Sequence, residues 1–163
     1  MCTHGMSRRH FVGLVPGLAL VAAGCGGPAT GPEEVRWGKE YCEYCGMIID
    51  DPRFAAQLRG GPKHKLVKFD DAGDAMLWLA KQPFADDPSV EFWVGDADTG
   101  KWIDGRKAWF VTGRKSPMGH NYGAYAAPRD GALAFADFRA AVLAHGSTSR
   151  CEPNQAADAG AGR

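Results

Sequence analysis

The chain has 163 residues, 45% hydrophobic and 23% charged, with 19 basic residues balanced by 19 acidic ones. That length suits one domain with short tails and is enough to bury a core, and the composition excludes a chain disordered throughout. No face or run is strongly basic, so a phosphate backbone has no electrostatic footprint here and nucleic-acid binding is excluded.

From the N-terminus, Ser7-Arg8-Arg9-His10-Phe11-Val12 leads into an apolar run that ends at Ala23, and Ala22-Ala23-Gly24 places small residues before Cys25. A charged start, a short apolar stretch and a small-residue cleavage site are the parts of an export signal, over residues 1–24. The run is broken by Gly13, Pro16 and Gly17 and falls short of the roughly 20 apolar residues that a membrane-spanning helix needs. Ala-Ala-Gly-Cys resembles a bacterial lipobox, in which Cys25 becomes the lipid-bearing first residue, and Ser-Arg-Arg-x-Phe-Val resembles a twin-arginine signal. The expectation is a chain lipid-anchored on the periplasmic side of the cell envelope. Loss of residues 1–24 removes Arg8 and Arg9 but no acid, which leaves the mature chain mildly acidic.

Residues 25–34 are rich in glycine and proline and read as a flexible tether after the lipidated cysteine. The folded domain is expected over 35–146. Residues 147–163, with almost no large apolar side chain, read as a disordered tail that contains Cys151. Within the domain, 54–59 and 64–69 form a hairpin about the turn Gly60-Gly61-Pro62-Lys63. Asp70 or Asp71 caps a helix whose Ala72, Ala75, Met76 and Leu79 share one stripe, and the helix stops before Pro83. Residues 90–94 are a buried strand and 96–100 a turn. Further strands are expected at 102–103, 108–112 and 122–126, and a helix opens at Asp130 and closes at Gly146, with Phe135, Phe138, Ala141 and Val142 on its stripe. The fold class is α+β, in two halves of hairpin plus helix.

The stretch Glu-Tyr-Cys-Glu-Tyr-Cys-Gly-Met-Ile-Ile-Asp, residues 40–50, carries the most chemistry. A redox dithiol places its cysteines at a helix N-terminus, but Ile48, Ile49 and Pro52 oppose a helix launched from Cys45. A structural zinc site needs four ligands; only one such cysteine pair is present, and His64, His120 and His145 lack the matching spacing. A disulfide, between Cys42 and Cys45 or from either to Cys151, is the plain alternative for an exported chain. The fourth reading uses Met47. On an extended backbone residues two apart share a side, so Cys45 and Met47 present a thiolate and a thioether together, and soft sulfur donors select Cu(I). Met118 and His120, also two apart, form a second group of candidate donors in the loop Ser-Pro-Met-Gly-His-Asn-Tyr-Gly. Met76, on its helix stripe, reads as packing.

Cys42-x-x-Cys45-Gly46-Met47, followed in order by DDPRFAAQ, KLVKFDDAGDAMLWL, WVGDADTGKWIDGRKAWFV and SPMGHNYGAYA, resembles the NosL family of copper lipoproteins. The resemblance implies a non-enzymatic copper chaperone that delivers Cu(I) for assembly of nitrous oxide reductase, working with an ABC transporter and a periplasmic NosD-type partner. It also implies two related ββαβ-type modules with small antiparallel or mixed sheets, similar to the organomercurial lyase core. The Cys-x-Met element of the family falls on Cys45 and Met47, and its later Met-Gly element on Met118 and Gly119. Cys42 occupies a less diagnostic position, and the third copper donor stays open between Met118 and His120. The alternative function is a thiol-disulfide oxidoreductase or a thiol-dependent lyase-type enzyme that relies on Cys42 and Cys45.

Overall fold

Short apolar runs on either side of a glycine-rich turn form an antiparallel hairpin, β1 (Ala56–Gly60) with β2 (Lys65–Phe69), in which Gly60 faces Lys65 at the turn and Ala56 faces Phe69 at the open end. The computed structural model describes residues 29–147. The expected export signal, Cys25 and Cys151 lie outside the described residues. No helix among the described residues is long and apolar enough to cross a membrane.

After β2 the chain turns at once into α1 (Ala72–Ala80), then β3 (Glu91–Gly95), β4 (Trp102–Asp104), β5 (Trp109–Thr112), β6 (Tyr122–Tyr125) and α2 (Phe135–His145). The first four strands make one sheet in the order β2-β1-β3-β4, antiparallel throughout, and β5 and β6 make a second, two-stranded sheet. The sheets meet where the Ala97 N–H donates to the Ala124 carbonyl at 2.8 Å.

Central strand β1 is buried on both faces, which the alternation of a half-buried strand would not give. Leu58 and Ala56 join the core shared with α1, while Gln57 and Arg59 point to the other side and are covered by residues 31–33. Gln57 closes a two-bond ring with the Glu33 backbone, accepting at 2.8 Å and donating at 2.7 Å, so its fully buried amide is satisfied. This end of the expected tether is therefore part of the folded body.

The first half matches the expected ββαβ order. The second does not complete it: β4 joins the first sheet, and β5-β6-α2 has no following strand among the described residues. Nor does α2 open at Asp130. A turn brings the Ala132 N–H to the Arg129 carbonyl at 3.0 Å, with Gly131 at a positive φ, and Leu133 then exchanges both backbone bonds with Phe110. Those bonds hold the chain extended until Ala134, and only then does α2 begin. Its Phe138 stacks on Phe110 with ring centroids 3.8 Å apart and meets the edge of Tyr122 at 5.0 Å, which locks α2 over the small sheet.

Candidate metal centre

Residues 41–48 form a narrow loop. Tyr41 and Ile48 pair across it, the Cys42 N–H donates to the Met47 carbonyl at 2.8 Å, and the Gly46 N–H returns to the Cys42 carbonyl at 3.0 Å. Gly46 has φ of 74°, a left-handed conformation that glycine adopts without a Cβ clash and that lets the loop close. Fully buried Ile49 plugs the loop into the core, and the Glu43 N–H donates to the Lys68 carbonyl at 2.9 Å. These ties place the two cysteines over the junction of β2 and α1.

A further tie is ionic. Glu40 receives Lys68 at 2.6 Å and Arg36 at 3.0 Å, and these bonds, Lys68 first, hold its carboxyl down at about 2 from the ordinary 4.5. A depressed acid stabilises the fold above its unfolded pKa, and the contribution disappears as pH falls from about 4.5 through about 2. Glu40→Gln is expected to remove on the order of 1 kcal/mol at pH 7 and to flatten stability between those pH values. Urea melts at pH 7 and pH 3 check this; a Glu40→Gln loss of equal size at both would refute it.

At the junction, Phe69-Asp70-Asp71-Ala72-Gly73-Asp74 places three carboxylates around the N-terminus of α1, where the helix dipole favours negative charge. All three are buried. Asp71 is the N-cap and accepts the Gly73 N–H at 2.9 Å. The Cys42 thiol donates to Asp74 at 3.6 Å and the Cys45 thiol to Asp70 at 3.4 Å. One ligand atom from each of Cys42, Cys45, Asp70 and Asp74 lies within 4.8 Å of every other.

The loop before β6 covers the far side. Ser116 donates to Asp71 at 2.6 Å, the Met118 N–H reaches the same carboxylate at 3.3 Å, and His120 Nε2 lies 3.0 Å from Asp74 Oδ1. The imidazole rests on the bare Cα of Gly73, where a Cβ would come 2.2 Å from His120 Cγ. A short turn shapes the loop, with the Asn121 N–H on Ser116 Oγ at 2.8 Å and Asn121 itself at φ of 63°.

The pocket is strongly biased towards a cation. The neighbouring Cys42 thiol, and then burial, push the Cys45 thiol upward, so the resting thiol stays protonated. Burial raises Asp70, and it raises Asp71 against the opposing pull of His120 and Ser116. Burial also pushes His120 down, but the Asp74 hydrogen bond and the charges of Asp71, Asp74 and Asp70 outweigh it and carry the imidazole upward. Two thiols and three carboxylates thus face one imidazole. A metal ion held here would displace the thiol protons, and Asp70 and Asp74 are the groups those thiols already face.

The structure brings Cys42, Cys45 and His120 to one place, with His120 on the carboxylate of Asp74 rather than beside the sulfurs. The backbone of Met118 lies over Asp71, and its side chain is half-buried. Met47 stands apart from the extended-strand expectation. Gly46 turns the chain between it and Cys45, the Met47 N–H faces the Cys45 sulfur, and the Met47 side chain is 52% exposed on the rim. His64 sits at the β1–β2 turn and His145 at the end of α2, both outside the cluster. Sequence reasoning missed Asp70 and Asp74. A signal for them existed, because a helix start needs one capping carboxylate and this one has three acids in five residues.

The family model for NosL matches residues 37–147. The crystal structure of the copper chaperone NosL from Shewanella denitrificans is similar, with a TM-score of 0.53 and 22% identity over 68% of this chain and 87% of that one, which supports a shared α+β fold. No curated protein matches the chain. A loop of two cysteines seated on an acidic helix start lies wholly inside the matched span, and this chain belongs to the NosL family.

Proposed function

We propose that this protein binds Cu(I) and passes it to a client in the cell envelope, without catalysing a reaction itself. The observation that carries the reading is the cluster of buried Cys42, Asp70 and Asp74 with half-buried Cys45, short of positive charge and placed within the family span. The structural relative is described as a copper chaperone, which is the activity proposed here. Cu(I) takes the sulfurs, which match its softness, and leaves the carboxylates as proton acceptors and outer partners. Met118 and Met47 are the candidate thioether donors. They suit a carrier, because a neutral thioether releases the ion more readily than a further thiolate would.

The client proposed is nitrous oxide reductase, reached with an ABC transporter and a NosD-type periplasmic partner, from a position anchored to the membrane through lipidated Cys25. The alternative of a thiol enzyme is disfavoured by the raised pKa of Cys45, since reactive thiols are held low. The cysteine loop also pairs with itself between Tyr41 and Ile48 and opens no helix.

Anaerobic titration of the reduced protein against a Cu(I) chelator, with zinc in parallel, tests the reading. The mixed sulfur and carboxylate set also suits a borderline divalent ion, so zinc is the informative competitor. Tight Cu(I) binding, followed by copper appearing in copper-free nitrous oxide reductase after mixing and separation, is the expected result. Zinc binding with no measurable Cu(I) binding would reject the proposal, and Cu(I) binding without transfer would reject the client.

A further inference from the structure

The described chain enters the fold at the end of the sheet that carries the β1–β2 turn. The Gly31 N–H donates to Glu91 at 2.7 Å, its carbonyl accepts from Arg59 at 3.2 Å, and Glu33 pairs with Arg59 and Gln57. Residues 31–33 therefore run from the last residues of β1 towards its middle. Cys25 precedes Gly31 by six positions, a reach of at most about 21 Å. The metal centre is at the opposite end, beside the Ala56–Phe69 pair. A five-residue strand separates the two ends by about 13 Å, so the tether brings the whole sheet close to the bilayer and the surfaces at its two ends decide which faces it.

The turn has the composition of a surface meant for a charged, partly apolar neighbour. Pro62, Lys63, His64 and Lys65 are all exposed. Among the described residues, neither Lys63 nor Lys65 forms an ion pair. The acids nearby are already engaged. Asp86 holds Arg139 at 3.1 Å, Glu91 takes Gly31 and the Trp93 indole, and Asp87 caps Ser89 while facing the charges of His64 and Arg106. Behind the turn lies an apolar groove of about 320 Å³, floored by Val67, Trp78 and Phe84, with Lys63 and Lys65 on its margin.

We propose that this turn is the face the protein presents to an anionic phospholipid bilayer. Lys63 and Lys65 meet lipid phosphates, the groove at Trp78 and Phe84 receives the apolar part of a lipid, and the metal centre points away from the membrane. Lysines beside an anionic leaflet and aromatic rings at headgroup depth are the two usual elements of such a surface. The proposal rests on the reading of Cys25 as the lipid-bearing residue, since that is what brings the turn within reach of the bilayer. Its consequence is that a client approaches Cys45 from the aqueous side, with no need to lift the protein off the membrane.

The test uses the mature chain, residues 25–163, with Cys25→Ser, so that neither the export signal nor the lipid contributes, and vesicles of phosphatidylglycerol and phosphatidylethanolamine against vesicles of phosphatidylcholine alone. Binding to the anionic vesicles is expected, weakened about tenfold or more by Lys63→Glu with Lys65→Glu. The same charge change at the metal-centre end, Lys39→Glu with Lys101→Glu, is expected to weaken it by less than about threefold. Absence of binding to anionic vesicles, or equal losses from the two pairs, overturns the proposal. The anchor is tested apart from this, by fractionating cells that express the chain with and without Cys25→Ser. Unchanged membrane retention in that variant refutes the anchor and with it the reason for this orientation, whatever the vesicles show.

Discussion

Cys45→Ser is expected to weaken Cu(I) binding by about a hundredfold or more, measured by competition with a chelator under reducing conditions. The substitution replaces a soft, polarizable sulfur by a hard hydroxyl while keeping a donor to Asp70, and loss even of groups that only orient a metal ligand costs about 10- to 100-fold. Because Cys45 is half-buried at the edge of the core and serine is close to it in size, the fold should survive within about 1 kcal/mol. Cys42→Ser should give a loss of the same order, since its sulfur belongs to the same 4.8 Å cluster and its hydrogen bond to Asp74 can be kept by serine. Met47→Leu separates the roles of the thioether and the loop. It conserves volume, so a tenfold or larger loss makes Met47 a ligand, and an unchanged affinity leaves it as an exposed residue of the rim. Wild-type affinity in Cys45→Ser would remove the sulfur cluster as the copper site altogether.

The elements of the fold were legible where local chemistry alone decides them. The Gly60-Gly61 turn marks the hairpin, Asp71 caps α1, and Gly146 closes α2 with a positive φ, each within a few residues of its expected place. The start of α2 was not legible, because Leu133 is held extended by Phe110, a partner 23 positions away with no trace in the local pattern. Docking of residues 31–33 was hidden for the same reason: a Gly/Pro-rich composition speaks of local freedom, and the bonds that remove it come from Gln57, Arg59 and Glu91. The site divides in the same way. Cys42 and Cys45 announce themselves by spacing. The surplus of acids at the start of α1 is visible in the sequence, but that β2 delivers Asp70 and Asp74 directly beneath the cysteine loop is seen only in the tertiary structure. The period-two argument failed at Gly46, since a single left-handed glycine cancels the alternation on which it depends.

Gly73→Ala is expected to destabilise the protein by several kcal/mol, although glycine to alanine inside a helix ordinarily stabilises by about 1 kcal/mol. The added Cβ would lie 2.2 Å from His120 Cγ and 2.4 Å from Cδ2, so the imidazole has to leave its seat. Overpacking of this kind costs about 1–3 kcal/mol. The larger part comes from Asp74, which loses its 3.0 Å partner while buried, and breaking a buried pair costs about 3–5 kcal/mol. A fall in melting temperature of roughly 10 °C or more follows for a domain of this size. His120→Ala leaves the same carboxylate with only the weak Cys42 thiol donor and should cost a similar amount. The two changes together should cost clearly less than their sum, because the alanine methyl then occupies space that the imidazole has vacated and Asp74 loses its imidazole partner only once. Urea denaturation of the metal-free single and double variants reads the coupling directly. Strict additivity, or a Gly73→Ala protein more stable than the wild type, would show that His120 does not rest on α1 and that Asp74 is positioned by some other group.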